Sequence, residues 1–129
     1  MDFVTFEIAK KLKEKGFPQV KKKGTLAMYN EEGEWHSLAR NLDEFEYLFE
    51  DFDYHDCVCP TISQVLKWLR NEKEIYATMR LFADNGWYFI IQNHKGEPIY
   101  SQFRDTDVLY LSYEQAAIAG IEYVIDNLI

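Results

Sequence analysis

The pair Asn85-Gly86, set between two runs rich in aromatic and aliphatic residues, constrains this chain more than any other feature. Asn-Gly is the preferred centre of a two-residue type I′ turn, because both central residues need positive φ. The spacing therefore predicts a β-hairpin pairing Asp84 with Trp87, Ala83 with Tyr88, Phe82 with Phe89 and Leu81 with Ile90. In that register one face carries Met79, Leu81, Ala83, Tyr88 and Ile90. The other carries Tyr76, Arg80, Phe82, Trp87, Phe89 and Ile91. Both faces are largely apolar, so either helices cover both sides of the sheet, which is the expectation, or one aromatic face is a docking surface. Just upstream, Ile62, Val65, Leu66 and Leu69 recur at helical spacing after Pro60, with Thr61 or Cys59 as the cap. A helix followed by a hairpin fits an α+β core, and it also fits a winged helix that grips DNA.

Other segments extend the pattern. Ile8 and Leu12 form an apolar stripe on a predicted helix 5–15, which Gly16, Phe17 and Pro18 stop. Residues 25–38 predict a short hairpin turning at Asn30-Glu31-Glu32-Gly33. Phe45, Leu48, Phe49 and Phe52 suit an amphipathic helix starting near Asp43, with an irregular acidic loop as the rival reading. Lys95-Gly96 marks a second turn, and residues 98–103 complete a meander over 75–103. Ser112 with Gln115 forms a capping box opening a helix 113–127, with Ala117, Ile121, Val124, Ile125 and Leu128 inward. Gly120 inside it permits close contact with the sheet. The expected fold is a single α+β domain over residues 1–129: an antiparallel sheet made of the meander and the 25–38 hairpin, packed by three or more helices.

Composition narrows function. The 129 residues suffice for one domain, and 47% apolar with 28% charged residues is globular. The apolar runs are too short to span a bilayer, and the start lacks a signal-type apolar region, so the protein is expected in the cytoplasm without a membrane partner. Two cysteines two residues apart agree with a reducing compartment. The net charge of −8 is uneven, with +4 over residues 1–30, −9 over 31–56 and −3 over 57–129. An acidic balance disfavours nucleic acid as partner. Gln64, Lys67, Arg70, Asn71 and Lys73 on the helix before the hairpin, helped by Lys10 to Lys23, keep a winged-helix DNA-binding regulator as the alternative.

Asp51, Asp53, His55, Asp56, Cys57 and Cys59 gather every common metal-ligand type within nine residues. A lone Cys-x-Cys is not a usual zinc spacing, and neighbouring positions rarely give a Cys–His pair its geometry. A small metal-dependent enzyme is thus a further alternative, while no catalytic, cofactor-binding or metal residue is assigned and no cofactor is expected. The best interaction candidates are the acidic-aromatic segment Asp43 to Asp56 and any exposed part of the Phe82, Trp87 and Phe89 surface.

The segments EIAKKLKEKGF (7–17), PTISQVLKWLRNEK (60–73) and YEQAAIAGIEYVI (113–125), with a Trp-containing hairpin between the last two, resemble a family of short uncharacterised proteins from gut bacteria. Such proteins are often associated with phages and mobile elements. The resemblance implies a small domain in a prophage-linked setting and carries over no functional residue. The expected function is a non-catalytic accessory or protein-binding module.

Overall fold

The computed structural model describes residues 2–19, 27–37 and 56–129. They form an α+β structure with two antiparallel sheets, and the chain divides into two compact units. Residues 3–61 make the first. Residues 62–129, with Asp2, make the second.

In the first unit, helix α1 (Phe6–Glu14) buries Ile8, Ala9 and Leu12. Thr5 caps it, its hydroxyl accepting the amide of Ile8 at 3.3 Å. Gly16 takes φ +93° beyond the last turn, and the amide of Phe17 returns to the carbonyl of Leu12 at 2.9 Å. That is the predicted stop: a left-handed residue lets the chain reverse and satisfy a terminal carbonyl. Strands β1 (Ala27–Tyr29), β2 (Trp35–Ser37) and β3 (Cys57–Val58) form a sheet in the order β2-β1-β3. The hairpin register pairs Ala27 with Ser37 and Tyr29 with Trp35. Its turn is held by Asn30, whose side-chain oxygen accepts from the amides of Glu32 and Glu34, while Gly33 takes φ +84°. Helix α1 packs against β3. The predicted helix beginning near Asp43 lies outside the described residues.

In the second unit, helix α2 (Ile62–Lys73) buries Ile62, Val65, Leu66 and Leu69, the stripe read from sequence. Strands β4 (Tyr76–Phe82), β5 (Gly86–Gln92) and β6 (Pro98–Ser101) form the meander in that order. The β5–β6 turn repeats the Asn30 device: Asn93 accepts from the amides of Lys95 and Glu97, and Gly96 takes φ +78°. Helix α3 (Gln102–Thr106) replaces the expected end of the third strand, and Asp107 stops it at φ +56°. Gln102 explains the change. It is buried, and its side-chain amide donates to the Thr106 hydroxyl and the Val108 carbonyl, both at 2.7 Å, closing a local turn. Helix α4 (Tyr113–Asn127) is capped by Ser112, whose hydroxyl accepts from the amide of Gln115 at 3.1 Å. It lies on β5 and β4, and α2 touches both α4 and β4. Of its expected inward residues only Leu128 stays half-buried. A methyl group at Gly120 would sit 3.2 Å from the Phe89 ring, so the glycine lets helix and sheet meet.

The β4–β5 register differs from the one that Asn85-Gly86 predicts. Phe82 pairs with Gly86, Leu81 with Trp87, Arg80 with Tyr88 and Met79 with Phe89. The turn is Ala83-Asp84-Asn85, with Ala83 at φ +47°. Gly86 is drawn into the strand because residues 109–110 cross directly over it: a Cβ there would lie 2.8 Å from the Tyr110 carbonyl oxygen. Trp87 and Tyr110 then exchange two backbone bonds of 2.8 Å. The pairing shifts by an odd number of residues, so the side chains of the two strands are sorted onto different faces.

Candidate functional site

Two places carry the chemistry or the surface singled out by the sequence. The first is strand β3 with its neighbours. By alternation Cys57 and Cys59 point to one side and Val58 to the other. Both cysteines are free thiols and only 1% exposed. Cys57 stands opposite Tyr29, and the Cys59 amide donates to the Ala27 carbonyl at 2.9 Å. The Val4 carbonyl accepts from the Tyr29 hydroxyl at 2.8 Å and from the Cys59 thiol at 3.7 Å. Burial pushes the Cys59 thiol up to about 11, against weaker opposing hydrogen bonds from Tyr29 and Trp35. Burial also raises Cys57, opposed by the Lys13 ammonium. Tyr29 is raised too, first by burial and then by its hydrogen bond with Cys59.

A nucleophile or metal ligand must be a thiolate, so these surroundings oppose both roles. Asp56 is placed by its backbone, which accepts the Lys13 ammonium at 2.7 Å. Asp51, Asp53 and His55 lie outside the described residues. Among the described residues no group of three His, Cys, Asp or Glu side chains stands close enough to hold a metal ion.

The second place is the sheet of the second unit. The observed register puts Ala77, Met79, Leu81, Trp87, Phe89 and Ile91 on one face. Tyr100, opposite Ile91, belongs to it as well. Helix α4 covers this face: Phe89 packs on Gly120, and the rings of Tyr100 and Tyr123 stack at 4.0 Å. Phe89 and Ile91 are buried there.

The opposite face carries Tyr76, Thr78, Arg80, Phe82, Tyr88, Ile90 and Gln92, and exposed Ile99 is the extra residue on β6 where the pairing shifts between Tyr100 and Pro98. No long helix among the described residues lies on it. Helix α3 contributes Phe103, whose ring sits 4.9 Å from that of Phe82 and 5.8 Å from that of Tyr88. Tyr76, Phe82 and Ile99 remain 37%, 43% and 47% exposed. Phe82 is thus separated from Trp87 and Phe89, with which the expected register grouped it. The expectation that helices cover both sides of the sheet gives way to one covered face and one open face.

The features proposed for DNA reading are arranged differently from a groove reader. Lys67, Arg70, Asn71 and Lys73 are exposed on α2. The hairpin, however, packs under α4 as part of the sheet rather than as a projecting wing, and its tip is Ala83-Asp84-Asn85. No helix among the described residues is long and apolar enough to cross a membrane. The interaction candidate Asp43 to Asp56 lies, apart from Asp56, outside the described residues. Phe103 and Ile99, which complete the open face, were not singled out from sequence.

Against family models, curated proteins and solved structures, the chain finds no match.

Proposed function

We propose that this chain is a cytoplasmic, non-catalytic accessory or protein-binding module of a bacterium, encoded by a prophage or other mobile element. The open face of the β4-β5-β6 sheet is its contact surface. One observation carries the reading: Tyr76, Phe82 and Ile99 stay exposed around half-buried Tyr88, Ile90 and Phe103 on a face without a covering helix. Exposed apolar side chains gathered on one sheet face are a feature of interaction sites. Aromatic residues bury much area and are enriched where partners dock. The setting rests on the resemblance of residues 7–17, 60–73 and 113–125 to phage-associated proteins.

The test is affinity capture from native lysate with the wild type and with Ile99→Lys, which charges the open face. A specific protein recovered by the wild type and lost by the variant supports the reading. Equal recovery by both, or no specific protein with the wild type, contradicts it. The exposed Lys67, Arg70 and Lys73 favour DNA binding as a second reading, whose test is a salt-dependent shift of duplex DNA.

A further inference from the structure

We propose that two copies of this chain pair antiparallel through the outer edge of β4, with the twofold axis at Met79. Two three-stranded sheets then become one of six strands. The inference deepens the binding-module reading by naming a partner for the same sheet.

Among the described residues β4 pairs only with β5 and ends the sheet. Trp87 spends both its amide and its carbonyl on Tyr110, so it bonds away from β4. Leu81, its cross-strand neighbour, therefore belongs to a non-hydrogen-bonded pair and directs its own amide and carbonyl outward. Alternation gives the same direction to Met79 and Ala77. Three residues thus present a row of donors and acceptors that no described strand takes up. Such an edge is a template for another strand.

The strand is also complementary to itself. Only registers joining odd-numbered residues to odd-numbered ones match these outward groups. Centring on Met79 overlaps all seven residues, with Met79 opposite the partner's Met79 and Ala77 opposite the partner's Leu81. These pairs supply about six backbone hydrogen bonds. On the open face the exposed Tyr76 and Phe82 meet each other's copies as aromatic pairs. Leu81, 56% exposed, gains cover on the other face.

Charge selects among the registers. β4 carries Arg80 and no acid, although the chain has 22 acids and a net charge of −8. The register centred on Met79 sets Arg80 opposite the partner's Thr78. A shift of two in the pairing sum would set Arg80 against Arg80, a like-charge pair that is destabilising. The symmetry is closed and isologous, as in most small homo-oligomers.

The test is sedimentation of the full chain from micromolar to millimolar concentration, where the wild type is expected to pass from one chain mass, 15.4 kDa, to two. Leu81→Pro removes an outward amide, which an edge strand tolerates, and is expected to stay monomeric with its melting temperature retained. Thr78→Glu sets an acid opposite the partner's Arg80 and tightens the dimer, while Thr78→Arg weakens it. Each shift is roughly 2- to 30-fold in dissociation constant, the pair occurring twice by symmetry. A wild type of one chain mass throughout overturns the inference. So does a dimer indifferent to Leu81→Pro, or a monomer that binds an extended segment of another protein at this edge. A monomer whose open face still captures a protein in an Ile99-dependent manner overturns the dimer and spares the proposed function. A dimer with no captured partner does the reverse.

Discussion

Strands β3 and β4 treat their most suggestive side chains in opposite ways. β3 holds the two thiols, the groups with most potential chemistry, and buries both at 1% exposure. β4 holds Tyr76, Leu81 and Phe82, groups that ordinarily seek a core, and leaves all three exposed. The contrast teaches that β3 serves the core of its unit, whereas β4, at the end of its sheet, leaves apolar side chains exposed.

The contrast can be broken by substitution. The largest effect is expected beneath α4, where Phe89 fills the covered face. Phe89→Ala should destabilise by about 3–5 kcal/mol in denaturant unfolding, because the ring against Gly120 leaves a cavity. A loss near that of a surface residue would mean that this face is not the covered one.

A smaller effect belongs to β3 and depends on pH. Burial raises the folded Cys59 thiol, so its contribution is complete below about pH 8.5, the unfolded value. It is lost as pH climbs toward the folded value of about 11. The stability difference between wild type and Cys59→Ala should therefore shrink by roughly 2–3 kcal/mol between those limits. A difference independent of pH would show that the thiol is open to solvent.

The smallest effect is expected on the open face. Ile99→Lys should change unfolding free energy by no more than about 0.5 kcal/mol, as exposed positions do. A loss of several kcal/mol would make that face part of the core and remove the contrast.

Much of this was legible wherever neighbours in sequence decide the structure. Thr5 and Ser112 as caps, Gly16 with Phe17 as a stop, and the α2 stripe all act within one or two helical turns. The illegible parts depend on distant residues. Asn85-Gly86 reads locally as a type I′ turn, yet Gly86 is claimed by Tyr110, twenty-four positions away, and the register follows. β3 has two residues, too few for any period to show, so its sheet with β1 and β2 was not expected to stand apart from the meander. The Asn-x-x-Gly-Glu turns at Asn30 and Asn93 were readable as a repeated device: each Asn side chain gathers the amides on either side of a left-handed Gly. The open face was hidden for the same reason as the register. Alternation assigns side chains to faces only after strands are aligned.

The alignment of β4 with β5 decides which side chains share the open face, and proton NMR reads it directly. Non-hydrogen-bonded antiparallel pairs bring their Cα atoms to about 4.5 Å, giving strong Hα–Hα Overhauser contacts. The structure predicts these contacts for Leu81 with Trp87, Met79 with Phe89 and Ala77 with Ile91. Contacts instead linking residues whose numbers sum to those of Ala83 with Tyr88 or Leu81 with Ile90 would restore the Asn-Gly register. They would return Phe82 to the side of Phe89 and contradict the open face.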